Sequence, residues 1–348
     1  MSLLSEQNPL LIVVGSGGVG KTTLAASLGV SAAQAGRDTL VMTFDPSLRL
    51  KDALGVGEAA RDEEIEVPAA GPGRLAASLL DAGRTFDRLI ERYAPDDAAR
   101  RRILDNRFYR HLSGSLAGIL EYMAVERLFE VESEGRYQQV ILDTPPTRQA
   151  LDFLEAPSRI VQFLDSGALR IALKPWFDDQ GRLRGTTRFG AIGRRFERFL
   201  DEIVGLDLLR DMAEFFQAFG PLFDGFRRRA RKVEEMLGSS RTRFLLVAGP
   251  GEERIADTLF FARKLQEAGH HLGPIVVNRM HPTVERPVGE AGALFSWLGE
   301  RDRRGFEMLR GLVGEARPLV GLPLLAEEPT DLRALAEIGQ SLVARLPG

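Results

Sequence analysis

The 348-residue chain contains no cysteine. That absence excludes disulfides, thiolate metal sites, iron–sulfur clusters and a cysteine nucleophile. Histidine is scarce as well, at four residues, so a bound metal ion would rest on carboxylate, hydroxyl and phosphate oxygens. Neither sign of charge is in excess: 46 basic against 49 acidic residues leaves −3. A dedicated nucleic-acid binder shows a clear basic surplus, so nucleic acid is not an expected partner. No apolar run approaches the ~20 residues that span a bilayer. The start of the chain does not read as a signal peptide, because Glu6 stands where a basic region belongs and the apolar run Leu10 to Val14 is short. The expected location is the cytoplasm.

The remaining composition is ordinary for a globular protein, with 44% apolar and 27% charged residues. The stretch Leu10 to Gly15 is apolar on both faces, as in a buried parallel strand. A glycine loop, an Ala-rich helix ending at Gly36 and a second strand over Asp38 to Asp45 complete a βαβ unit. Further strands are expected at Arg74 to Ser78, Tyr137 to Asp143, Arg243 to Ala248, Leu272 to Asn278 and Pro318 to Leu322, with helical patterns between them. The alternation predicts an α/β fold with a doubly wound, mostly parallel sheet. Glu58 to Gly73 reads as a surface connection. Residues 160–237 differ: they hold half of the 20 Phe, from Phe163 to Phe226, with many Arg and no evident strand. The expected organisation is one domain over 1–348 with a helical insertion over 160–237.

The strongest signal is Gly15-Ser16-Gly17-Gly18-Val19-Gly20-Lys21-Thr22-Thr23. It fits G-x-x-x-x-G-K-[ST] between a strand and a helix, the context in which that motif cradles phosphates. Glycines let backbone N–H groups turn inward, and the helix N-terminus adds partial positive charge. Lys21 is placed to reach the β- and γ-phosphates, and the Thr22 hydroxyl to ligate Mg²⁺. Gly15, Gly17 and Gly20 also satisfy the dinucleotide fingerprint G-x-G-x-x-G, with Asp45 as its acid, but that reading leaves Lys21 and Thr22 unexplained.

Two acids follow at strand ends. Gln138 to Thr147 reads QQVILDTPPT; its Asp143 suits either a Mg²⁺-bound water or the capping of a turn. Asp45, before Pro46 and Ser47, suits either the orientation of an attacking water or an N-cap, and the residues alone do not choose.

Taken in order, GSGGVGKTT, TFDPSLRLKDALG, LDTPPTRQALDFLEAP, VVNRMHP and GLPLLAEEP resemble the arsenical-pump ATPase and tail-anchored-protein targeting ATPase family. That family sits in the larger P-loop class of the MinD and ParA ATPases, and the resemblance covers nearly the whole chain. It implies an ATP-hydrolysing switch with ATP and Mg²⁺, working as a dimer. At matching positions it implies that Asp45 positions the hydrolytic water and that Asp143 opens a second switch. It also implies that Thr144 to Thr147 sense the γ-phosphate. Asn278 would read the adenine, and the loop from Pro323 to Glu328 would close over the base. VNRM lacks the N-K-x-D pattern of a guanine reader, which favours ATP over GTP.

The chain departs from the family pattern in three places. Ser16 stands where family members carry a lysine that reaches across a dimer, so the expected assembly is either a homodimer or a heteromer with a lysine-bearing paralogue. In the second case this chain would be a poorly hydrolysing subunit. The family's zinc-binding CxxC pair is absent, and so are its metalloid-binding cysteines, which rules out arsenite binding through thiols. The helical insertion invites two readings, a groove for a protein or membrane client and a subdomain burying its own aromatics. A MinD-like membrane-positioning role, with peripheral contact at the inner membrane face, is the remaining alternative.

Overall fold

Runs of Leu, Ile and Val without polar alternation form the interior strands of one sheet, because both of their faces are covered. The computed structural model describes residues 3–4, 7, 9–44, 49–56, 63–68, 71–110, 119–165, 206–284, 286–315, 317–329 and 331–346. The strands are β1 (Leu10–Gly15), β2 (Thr39–Thr43), β3 (Ile65–Glu66), β4 (Leu75–Leu79), β5 (Gln139–Asp143), β6 (Thr242–Ala248), β7 (Leu272–Met280) and β8 (Leu319–Pro323). They form one eight-stranded sheet in the order β3-β4-β2-β5-β1-β6-β7-β8. Every pairing is parallel except β3 with β4. The fold is therefore α/β and mostly parallel, as the alternating pattern predicts.

The described helices of ten or more residues, with two shorter ones, are α1 (Lys21–Gln34), α2 (Arg49–Leu54), α3 (Ala82–Tyr93), α4 (Asp97–Leu104), α5 (Ile119–Glu134), α6 (Thr147–Asp165), α7 (Leu206–Phe219), α8 (Phe223–Gly238), α9 (Ile255–Glu267), α10 (Gly289–Val313) and α11 (Leu332–Arg345). Among the described residues no helix is long and apolar enough to cross a membrane.

The chain divides into two compact units. The first comprises Met1–Leu80, Leu128–Leu151 and Glu235–Gly348, and the second comprises Asp81–Arg127 and Asp152–Glu234. The sheet belongs to the first unit. Its central strand β1 is wholly buried, with Leu11, Ile12, Val13 and Val14 at 0% exposure. Burying side chains of that size stabilises by about 1.5–3 kcal/mol each. Helix α1 covers one face with Leu24, Ala25, Leu28 and Ala32, and α11 adds Leu335 and Leu342 to the same core.

One difference from the sequence expectations has a local cause. Within the stretch from Glu58 to Gly73, Ile65–Glu66 pairs antiparallel with β4 and lengthens that edge of the sheet. Two residues are too few for any alternation to show. A bidentate ion pair of Arg136 with Glu64, and a bond from the Tyr137 hydroxyl to Glu64 at 2.7 Å, fasten this edge. His270 stands in the turn before β7. Its ring lies on Phe244 at 4.9 Å, and Nδ1 is 3.2 Å from the Leu237 carbonyl.

The second unit is built on rings. Phe86, Tyr109, Phe215, Phe219 and Phe226 are buried together, with centroids 4.9 Å apart for Phe219 and Phe226 and 5.0 Å for Phe86 and Tyr109. These described Phe of the region 160–237 are core residues. Residues 166–205 of that region lie outside the described residues.

Candidate functional site

Parallel strands end together, and where the chain order changes direction their carboxyl ends leave a crevice. Here β1, β2, β5, β6 and β7 run the same way, with β1 between β5 and β6. The glycine loop leaves the end of β1 at that crevice and runs into α1.

The loop requires glycine at two points. Gly15 has φ 148°, and a Cβ there would lie 2.0 Å from the Val247 carbonyl oxygen. Gly20 has φ 90°, and its Cβ would meet the Asn278 side chain at 2.5 Å. With Gly20 left-handed, α1 starts with no side-chain cap and no acid in its first turn. By contrast, Asp81 caps α3 and Asp331 caps α11. The first N–H groups of a helix need partners, so this start is shaped for an anion.

Lys21 follows at 7% exposure, with Nζ 3.0 Å from the Ser16 carbonyl oxygen. The ammonium group is thus held across the mouth of the loop. Thr22 donates its hydroxyl to Asp143 Oδ2 at 2.7 Å. These residues are 121 positions apart, and the β1–β5 pairing brings them together. Thr43, at the end of β2, donates to the same oxygen at 3.0 Å. Asp143 is buried at 1% exposure. A hydroxyl and a carboxylate form an all-oxygen donor set, which fits a small hard cation that keeps waters and phosphate oxygens as its other ligands. No three His, Asp or Glu cluster as a metal site among the described residues.

Thr144 turns inward, donating its hydroxyl to the Val13 carbonyl at 2.8 Å, so its side chain belongs to the strand interior. Asp45 and the following Pro46 and Ser47 lie outside the described residues, as does the side chain of Thr147.

On the other side of the loop, Asn278 donates from Nδ2 to the Val19 carbonyl at 2.8 Å. It also lines a cleft of ≈720 Å³ with Thr23, Pro323, Leu324 and Glu327. That size suits a small-molecule ligand, and the mixture of apolar wall and amide group suits a flat heterocycle. Asn278 and Pro323 are therefore in one place, beside Thr23 in the first turn of α1.

Two residues of this site escaped the sequence reading. Thr43 gives no signal in sequence, since a Thr at a strand end is commonplace. Arg279 donates from Nη1 to the Gly18 carbonyl at 2.9 Å and has φ 63°, the one positive value at a non-glycine among the described residues. Such a conformation costs about 1–3 kcal/mol and tends to mark functional sites.

A parallel sheet whose first strand delivers a G-x-x-x-x-G-K-T loop, with the threonine hydroxyl bonded to the carboxylate ending β5, defines a P-loop nucleotide-binding protein. The comparison with known proteins is more specific. The sequence model of the family described as anion-transporting ATPase matches residues 9–344, and the chain belongs to that family. The ATPase GET3 of Malassezia globosa is 30% identical over 93% of this chain and 88% of its own length. The ATPase GET3 of Kluyveromyces lactis is 28% identical over 56% of this chain and 58% of its own. A Halobacterium salinarum protein carrying the name arsenical pump-driving ATPase is 30% identical over 49% of this chain and 27% of its own. The matched stretch thus spans about a quarter of the halobacterial relative and somewhat over half of the Kluyveromyces one.

Proposed function

We propose that this chain binds Mg·ATP at Gly15, Ser16, Gly17, Gly18, Val19, Gly20, Lys21, Thr22 and Thr23 and hydrolyses it to ADP and phosphate, using the cycle as a conformational switch. The observation that carries the reading is the hydrogen bond from Thr22 to Asp143 at 2.7 Å. It joins the two motifs that a P-loop ATPase needs within reach of one Mg²⁺.

The geometry and the family resemblance together support the following roles. Loop N–H groups and the uncapped start of α1 hold the phosphates. Lys21 leaves the Ser16 carbonyl for the β- and γ-phosphate oxygens and stabilises the charge that gathers there. Thr22 and Asp143 would hold Mg²⁺, with Thr43 keeping the carboxylate in place. The metal ion neutralises charge on the β- and γ-phosphate oxygens when bound. Asn278 and Pro323 take the base, the Asn278 carbonyl oxygen being suited to the exocyclic amine of adenine. Asp45 orients the attacking water, a role resting on family resemblance. Phosphoryl transfer needs positioning more than covalent help, so this set suffices.

Helix α6 begins four residues after Asp143, in the first unit, and ends in the second. A shift at its start on γ-phosphate release is the route by which the switch would reach the helical unit. The working location would be the cytoplasm, and a client would bind at the helical unit.

Ser16 favours a second reading. A hydroxyl cannot supply the charge that a lysine would carry to a partner's nucleotide, and such cations are worth about 10³-fold or more in rate. In that case the chain binds ATP, hydrolyses it poorly, and completes its site with a lysine-bearing paralogue.

The test is phosphate release by the purified chain, with Asp45→Asn as control and mass by light scattering with and without Mg·ATP. The switch reading expects turnover, loss of at least about 100-fold in the variant, and an ATP-dependent dimer. ATP binding without turnover in a chain that stays monomeric would establish the heteromer reading. Failure to bind ATP would overturn both.

A further inference from the structure

The end of β7 does something an extended strand cannot do. Successive side chains of a strand point to opposite faces, so neighbours do not normally address the same loop. Here Asn278 and Arg279 both do. Asn278 bonds the Val19 carbonyl at 2.8 Å, and Arg279 bonds the adjacent Gly18 carbonyl at 2.9 Å. The backbone permits this by turning Arg279 to φ 63°. The register of β7 against β8 shifts at the same point, between Val277 and Met280. Arginine has no short polar side chain to favour the left-handed region, so the surroundings impose it.

Arg279 also lies between two cavities. It lines the ≈720 Å³ cleft with Asn278 and Pro323. It lines as well a smaller one of ≈220 Å³ against the outer face of the loop, with Gly17, Gly18 and Arg254. One side chain thus touches both the base side and the phosphate-loop side of the site.

We propose that Arg279 is a positioning residue that pins the tip of the phosphate loop to the strand end that reads the base. It acts through Gly18. A loop held in its phosphate-receiving shape binds without first being ordered, which raises affinity for the phosphate-bearing ligand. The proposal rests on the nucleotide reading above and adds a selectivity to it: loss of Arg279 should weaken ligands with a phosphate chain and spare the nucleoside.

The informative variant is Arg279→Gly, because glycine accepts a positive φ without strain and folding is retained. Arg279→Lys keeps a cation at the same place. For the whole chain, Mg·ATP and Mg·ADP binding would be measured by calorimetric titration, adenosine by ligand-observed NMR, and unfolding by heat. The expected result is at least a tenfold rise in Kd for ATP and ADP in Arg279→Gly. Adenosine binding should be unchanged, the melting temperature of the free chain equal or higher, and the Lys variant should recover part of the loss. Unchanged ATP and ADP affinity in Arg279→Gly would overturn the proposal and make the left-handed turn a strand terminator only. An equal loss for ATP, ADP and adenosine would overturn it too, placing the guanidinium on the base itself. A parent chain that binds no adenine nucleotide would overturn the nucleotide reading, and this proposal with it, before any variant is made.

Discussion

The glycine loop of the sheet unit and the interior of the helical unit hold their polar groups differently. Around the loop three side chains bond backbone carbonyls: Lys21 to Ser16, Asn278 to Val19, Arg279 to Gly18. In the helical unit one cluster is side chain to side chain and sits inside the packing. Glu126, at 1% exposure, takes the Tyr122 hydroxyl at 2.7 Å and an ion pair from Arg229, whose guanidinium also lies over the Tyr93 ring at 4.8 Å. Tyr109 donates to Asp87 at 2.6 Å. Burial and the neighbouring carboxylates push both buried phenols well above the ordinary tyrosine range, so they stay protonated donors. The contrast separates two tasks. Contacts to loop carbonyls can be exchanged for contacts to a ligand at little cost, whereas a buried charge with a fixed partner cannot be released without leaving an unpaired ion.

The strongest way to break this comparison lies in the helical unit. Glu126→Ala removes the buried partner of the largely covered Arg229 and should lower stability by about 3–5 kcal/mol, read from urea unfolding. A loss below about 1 kcal/mol would mean that the pair is no more than a surface contact. In the sheet unit the matching change is Lys21→Ala. It should lower ATP turnover by about 10²–10³-fold, or roughly 3–4 kcal/mol of transition-state stabilisation, while the urea midpoint moves less than in Glu126→Ala. Turnover within threefold of the parent would show that the loop cation is dispensable. The smallest effect concerns His270 in the sheet unit. Burial holds the His270 ring below the ordinary histidine range, against a smaller opposing pull from the Leu237 carbonyl. Its folded pKa is depressed, so the unfolded chain binds the proton first. The stability from the neutral ring is present above pH ~6.5 and declines as pH falls below it. In His270→Gln the acid-side loss of melting temperature between pH 7 and pH 5 should be shallower than in the parent. An identical slope would show that His270 titrates alike in both states.

Legibility in the sequence followed the range of the interactions. The glycine loop could be read residue by residue, because its signal is local: glycines that bend, then a lysine and a threonine side by side at the start of α1. The strand carrying Asp143 could be read because a fully buried strand needs an unbroken apolar run. Thr43 could not, since its role exists only once β2 and β5 lie side by side and bring it to an acid 100 positions away. Nor could Arg279, which meets Gly18 across 261 positions. Asn278 was reached through resemblance alone, since its own signal is that of any polar residue ending a strand. In the helical region the density of Phe was plain, but whether the rings face a ligand or one another was not. Phe215, Phe219 and Phe226 face one another.

By itself the sequence determined the α/β alternation and the glycine loop between β1 and α1, because hydrophobic period and backbone freedom are properties of neighbouring residues. It also determined the exclusion of thiol chemistry, since a residue type that is absent cannot be supplied by folding. The tertiary structure alone decided which oxygen Thr22 and Thr43 share and which carbonyls Asn278 and Arg279 grip. It decided as well which aromatics close on one another. Each of these depends on strand order and strand ends, which bring distant residues within hydrogen-bond range only after the sheet has assembled.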